Sequence, residues 1–153
     1  MNFRRILIAT DFSPASRPAF RVAVDLARRG RGRLAIVHVL SSVAPLGVES
    51  YVSARTYEEM ESSLRRWTQK RLNALVAQAK RARVNASGIL LTDAVAHKAI
   101  ARAARRERAD VIVIGTHGRS GLERFIVGSV ASRVVGTASC PVLTVRPHRA
   151  RKA

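Results

Sequence analysis

Only 5% of the 153 residues are aromatic, and Cys140 is the one cysteine. A single thiol cannot form an internal disulfide, and Cys140 stands in no metal-ligand or redox spacing, so it reads as a buried structural thiol. No run of about 18 apolar residues occurs, which argues against a membrane-spanning helix. No signal-peptide pattern precedes the first apolar segment, so a cytoplasmic location is expected. Acidic residues are also scarce: 10 Asp and Glu stand against 28 Lys and Arg, giving a formal net charge of +18. Such a field concentrates anions, whether nucleotides, nucleic acids or acidic lipid surfaces. The shortage of aromatics removes the interleaved stacking platforms of a single-strand nucleic-acid reader. The basic residues read as scattered over the helices (Arg28, Arg29, Arg65, Arg66, Arg81, Arg83, Arg105, Arg106, Arg108) and are assigned to solvated surface, with a polyanion site as the alternative. Their one dense run, Arg146-Pro147-His148-Arg149-Ala150-Arg151-Lys152, reads as a basic tail over 147–153 behind a single domain at 1–146.

Apolar residues make up 47% of the chain, much of it Ala and Val, which suits helices packed closely on a sheet. Short apolar runs at Phe3–Ala9, Leu34–Leu40, Ser87–Leu91, Asp110–Ile114 and Pro141–Val145 read as strands. The second and fourth are apolar but for His38 and Asp110, as strands buried on both faces are. Helical patterns lie between the runs. Ser13-Pro14 offers a cap and a first-turn proline, while Pro18 moves the regular helix towards Ser16, with Phe20, Ala23, Val24 and Ala27 facing inward. Thr56-Tyr57-Glu58-Glu59 reads as a capping box opening a helix to about Arg83, with Met60, Leu64, Trp67, Leu75 and Ala79 as its core face. Asp93 reads as the cap of a helix with Val95, Ala99, Ile100 and Ala103 inward. Residues 41–55, with Pro45, Gly47 and several serines, read as a loop or lid. Strands alternating with helices make a parallel, doubly wound α/β sheet.

The densest motif follows the fourth strand. Ile114-Gly115-Thr116-His117-Gly118-Arg119-Ser120-Gly121 leads to Gly128-Ser129 at the start of a further helix. Glycines let backbone N–H groups converge on an anion at a helix N-terminus, whose dipole carries about +0.5 charge. A G-x-x-x-x-G-K-[ST] phosphate loop is absent, and Ala9-Thr10-Asp11-Phe12-Ser13 stands where a dinucleotide fingerprint would. No His, Cys and carboxylate spacing makes a metal site; a divalent ion, Mg2+ or Mn2+, would arrive with the phosphates.

The ordered set of Gly115, Gly118, Gly128 and Ser129, with Asp11 behind the first strand, resembles the nucleotide-binding branch of the universal stress protein family. The likeness extends over Arg5–Ser13, Ile36–Val39, Asp110–Arg133 and Cys140–Val145, nearly the whole chain. It implies a five-stranded parallel sheet of order 3-2-1-4-5 with helices on both faces, and a ligand crevice where the order reverses between the first and fourth strands. By resemblance, Ala9, Thr10 and Asp11 line the adenosine end of a bound ATP, with ADP or AMP as alternatives, and Val39 packs near adenine. Ile114 closes the fourth strand there. Gly115, His117, Gly118, Arg119, Gly128, Ser129 and Val130 surround ribose and phosphates. The resemblance further implies a homodimer paired along the Val142–Val145 edge. Many members carry glycine and proline before the third helix, where this chain reads Ala94 and Ala96.

Blander roles stand beside these. Asp11 fits a helix cap as well as a ligand anchor, though Ser13 is already placed to cap. Gly115 and Gly118 fit plain turns, and His117, Arg119 and Arg124 fit solvated positions as well as ligand contacts. Ser129 fits both an N-cap and a phosphate ligand. His38, inside a strand, reads as structural, and Trp67 as core. No positioned base for fast phosphoryl transfer is evident, so the expectation is a nucleotide-binding stress-response regulator with an unidentified protein partner and, at most, slow ATP hydrolysis. The alternatives are a nucleic-acid or polyanion-binding protein and an interaction module with an empty cleft.

Overall fold

Apolar runs and helical stretches alternate along the chain as the sequence predicts. The computed structural model describes residues 3–41, 53–116 and 128–146, with Ala54 described by its backbone alone. Within them run β1 (Arg5–Ala9), a 3-10 turn (Pro14–Ser16), α1 (Arg17–Arg29), β2 (Arg33–Leu40), α2 (Ala54–Arg81) and β3 (Asn85–Thr92). Then come α3 (Ala96–Arg106), β4 (Val111–Gly115), α4 (Ser129–Thr137) and β5 (Val142–Val145). The strands form one parallel sheet of order β3-β2-β1-β4-β5. The loop expected at 41–55 falls mostly on residues 42–52, outside the described residues, as do His117, Gly118, Arg119, Arg124 and the tail 147–153.

Successive β1 side chains point to opposite faces. Ile6 and Ile8 join Phe20, Ala23 and Leu72 in a cluster under α1 and α2, whereas Leu7 and Ala9 join Ile100, Ala103 and Val134 under α3 and α4. Ile6, Leu7, Ile8, Ile112 and Val113 are each at most 1% exposed, so the central strands are buried on both faces. Gly32 brings β2 against β1, because a Cβ there would lie 2.5 Å from the Arg4 carbonyl oxygen.

Several local expectations are corrected. Ser13 caps the 3-10 turn rather than α1 directly: its hydroxyl accepts from Ser16 N, and regular helix begins at Arg17 with Pro18 in the first turn. Thr56 is not the α2 cap. Ser53 is, its Oγ accepting from Thr56 N at 3.2 Å, so the helix begins before the expected box. Met60, Leu64 and Trp67 are not core, being 63%, 51% and 47% exposed. At 28 residues α2 is about 42 Å long, whereas the eight-residue β3 beneath it spans about 26 Å, so the first half of the helix overhangs the sheet. Thr68, Leu72 and Ala79, past the overhang, are its buried residues. Asp93 does not cap α3; its Oδ1 accepts from Val95 N at 2.8 Å and its other oxygen pairs with Arg102. Cys140 is only half-buried, and desolvation still raises its thiol pKa.

Of the nine basic residues named from the sequence, Arg65 and Arg66 lie mid-way along α2, and the other seven gather at one end of the sheet. Parallel topology sends every helix C-terminus to the amino end of the sheet, and α1, α2 and α3 each carry two basic residues in their last turn there. Cations at that position oppose the negative end of the helix dipole. Asp110 ties this end together. Its Oδ2 accepts from Arg4 N and Arg5 N at 3.0 and 2.8 Å, and its Oδ1 from the Arg5 guanidinium at 2.6 Å. The hydrogen bonds from Arg5 hold the Asp110 carboxyl below its ordinary pKa.

Candidate functional site

The order of the sheet reverses between β1 and β4, and their carboxyl ends lie side by side through Ala9↔Ile114. A cleft of about 400 Å³ opens there. Its wall contains Ala9, Thr10 and Asp11 from β1 and its turn, Val39 from β2, Ile114 and Gly115 from β4, and Gly128, Ser129 and Val130 from α4. Nine of the twelve residues singled out in the sequence therefore meet in one cavity, and the other three, His117, Gly118 and Arg119, lie outside the described residues.

The turn after β1 is held by side chains. Asp11 Oδ1 accepts from Ser13 N at 3.0 Å and from Ser13 Oγ at 2.6 Å, which fixes the carboxylate at the cleft wall. Among the described residues its Oδ2 has no donor. Phe12 follows at φ 61°, a left-handed conformation uncommon for a bulky residue, with its N–H on Thr10 Oγ1 at 3.1 Å. Thr10 Oγ1 in turn shares a hydrogen bond of 3.1 Å with the buried Ser16 Oγ.

His38 sits behind this turn. Its Nδ1 donates to the Thr10 carbonyl at 2.7 Å, which places the proton on that nitrogen, and its ring stacks on Phe12 with centroids 4.4 Å apart. Arg71 continues the stack outward, 5.1 Å from the Phe12 centroid and 4.7 Å from that of Trp67, and donates to the Phe12 carbonyl. The structural reading of His38 stands, and it lines the cleft as well.

At the far side Thr116 O accepts from Gly128 N at 2.5 Å, so the chain leaves β4 and returns to α4 at one point. Gly128, not Ser129, is the N-cap of α4, and it provides no side-chain cap. The first intrahelical bond runs from Ser132 N to Gly128 O. Among the described residues, nothing accepts from the N–H groups of Ser129, Val130 and Ala131. Helix N-terminal donors that no described residue engages, at the rim of the cleft, are what an anionic group seeks.

Residues 2–146 match the Universal stress protein family. The chain belongs to the universal stress protein family. It is 31% identical to universal stress protein MJ0531 of Methanocaldococcus jannaschii, over 94% of this chain and 82% of that one. Among solved structures it resembles the universal stress protein of Archaeoglobus fulgidus in complex with dAMP, with TM-score 0.64, 22% identity and coverage of 95% and 100%. It also resembles a universal stress protein family member of Arabidopsis thaliana with AMP bound, with TM-score 0.68, 20% identity and coverage of 95% and 93%.

Against the family's glycine and proline before the third helix, Ala94 is exposed here and Ala96 opens α3 within the cleft wall. Ser16, Val37, His38, Ile100 and Ala131 also line the cleft and are not among the site residues read from the sequence. Ala131 had a readable signal, two places beyond the marked Ser129 on the same helix. Ser16 and Ile100 had none, because the folding of separate segments brings them in. Among the described residues no group of His, Cys and carboxylates is arranged to hold a metal ion, and no helix is long and apolar enough to cross a membrane.

Proposed function

We propose that this universal stress protein is a cytoplasmic regulator that binds an adenine nucleotide and works as a homodimer. The observation that carries the reading is the meeting of Asp11 with the uncapped α4 N-terminus in one cleft of about 400 Å³. Such a volume suits a nucleotide-sized ligand. Asp11, pinned through Oδ1, offers Oδ2 to a ribose hydroxyl or base amine. Ala9, Val39 and Ile114 supply apolar surface for the ring, while Gly115, Gly128, Ser129 and Val130 bring backbone to the phosphates, with His117, Gly118 and Arg119 assigned beside them. That relatives are solved with dAMP and AMP supports the adenine class. ATP is the favoured ligand, since the α4 donors suit a polyphosphate, and Mg2+ or Mn2+ would be carried by the phosphates. The functional unit is residues 1–146, followed by the basic tail 147–153.

Catalysis is not part of the proposal beyond slow hydrolysis, because Asp11 lies at the ribose end of this arrangement. Nucleotide occupancy instead biases the surface seen by a protein partner. The dimer forms along β5, the edge strand next to β4, where Leu143 is 38% exposed. Exposed strand edges are pairing templates. The test is chromatography of nucleotide released from purified protein, with calorimetric titration of ATP, ADP and AMP into nucleotide-free chain. Release of no nucleotide together with no heat for any of the three would overturn the reading. A monomer in sedimentation at micromolar concentration would remove the dimer.

A further inference from the structure

We propose that the amino end of the sheet, opposite the cleft, is a binding face for the phosphate backbone of a nucleic-acid duplex. One four-residue pattern closes three different helices there: Arg28-Arg29-Gly30-Arg31 after α1, Lys80-Arg81-Ala82-Arg83 after α2 and Arg105-Arg106-Glu107-Arg108 after α3. In each, the N–H of the last arginine bonds the carbonyl of the first residue (Arg31 to Arg28, Arg83 to Lys80, Arg108 to Arg105). Each last arginine is left-handed, at φ 47°, 61° and 51°.

The helix dipole accounts for the two basic residues of each last turn. It does not account for the third, which stands past the helix end in a conformation that favours glycine. Three arginines held at the same disfavoured position, all exposed, point to use of the side chain rather than of the backbone. Between them, Arg5 and Arg33 are register partners on adjacent strands, and Arg4 is exposed beside them. The carboxylates at this end are Asp25, Glu107 and Asp110, each already paired with arginine. Among the described residues, Arg31, Lys80, Arg81, Arg83, Arg105 and Arg108 have no carboxylate partner within 4.0 Å, leaving their charge for an external anion.

The chemistry of the face selects the occupant. Guanidinium groups suit phosphate oxygens through paired N–H donors. Of the large apolar side chains exposed among the described residues, Val135 alone, in the last turn of α4, belongs to this end, too little for the apolar wedge with which interfacial proteins enter a lipid surface. Phe3, the aromatic described at this end, packs against the core cluster rather than standing out as a platform for unstacked bases, which favours a duplex over a single strand. Contact with phosphates alone predicts binding without sequence preference.

The test measures binding of a short, labelled, mixed-sequence DNA duplex by anisotropy between about 50 and 200 mM salt. Three proteins are compared: the parent, the triple variant Arg31→Gly, Arg83→Gly, Arg108→Gly, and a control triple, Arg21→Gln, Arg55→Gln, Arg66→Gln, with the same loss of charge. Glycine fits the left-handed positions, so the first variant keeps its fold, checked by thermal unfolding. Its affinity should fall at least about tenfold and its salt slope flatten by about one per lost contact, with the control near the parent. Nucleotide binding in the cleft, about 17 Å away along the strands, should not change. Equal losses in both triples would assign binding to diffuse charge and overturn the proposal. So would no duplex binding by the parent at low salt.

Discussion

The two ends of the sheet expose opposite parts of the same backbone. At the carboxyl end, α4 presents N–H donors that no described residue engages, and neither lysine nor arginine lines the described cleft wall. At the amino end, α1, α2 and α3 present their last carbonyls, and the chain surrounds them with arginine. A parallel sheet fixes which helix ends go where, so its topology alone gives each end a sign. Side chains then act differently. At the cleft the described side chains leave the donors unengaged, whereas at the amino end they overturn the dipole's sign. One fold thus offers two places for an anion by two different physical routes.

Bulk should separate the ends most sharply. Gly128→Trp fills the cleft and should weaken adenine-nucleotide binding at least about 100-fold, or about 3 kcal/mol. Its backbone at φ −50° is open to any residue, so the urea midpoint should move little. A variant that still retains nucleotide would break the assignment of the cleft. Gly32→Ala should do the reverse. Its Cβ meets the Arg4 carbonyl oxygen at 2.5 Å, so denaturant unfolding should report a loss of about 2 kcal/mol, with nucleotide affinity unchanged in the folded protein.

Charge sharpens the contrast on a smaller scale. Asp110→Ala removes the acceptor of the Arg4 and Arg5 N–H groups and should cost about 1–2 kcal/mol, discounted for its partial exposure. Because the folded state lowers the Asp110 pKa, its contribution is present above the ordinary carboxyl value of 3.8 and lost as pH falls through the lower, folded value. Acid unfolding curves of parent and variant should therefore converge below that value. Arg83→Gly should stabilise the chain by about 1 kcal/mol, since φ 61° costs an L-residue and not glycine. A lower melting temperature would show that this arginine makes a stabilising contact.

The order of elements was legible from apolar runs separated by helical stretches, and the cleft from paired glycines together with Asp11. What escaped shares a cause: it depends on length or direction in space rather than on local pattern. The stripe Tyr57, Met60, Leu64 and Trp67 has core spacing, yet it lies on a helix longer than the sheet that should cover it. The three basic tetrads look dispersed along the chain because about 25 to 50 residues separate them, the repeat length of a β–α unit. Only the common direction of the helices collects them. Capping was misassigned by one to three residues at Thr56, Asp93 and Ser129: Ser53 caps α2 with its own hydroxyl, whereas Val95 and Gly128 hold the N-cap positions of α3 and α4 without any side-chain bond.

The stack from His38 through Phe12 and the Arg71 guanidinium to Trp67 runs from the cleft wall to the surface. Since Trp67 is the one tryptophan of the chain, it is a built-in optical gauge of the turn that holds Asp11. Nucleotide entering the cleft should change its emission by a modest amount, read in a simple fluorescence titration. Arg71→Ala should silence that signal while leaving calorimetric binding in place. The same residue that a reader of the sequence would bury in the core is thus the one from which the state of the cleft can be watched.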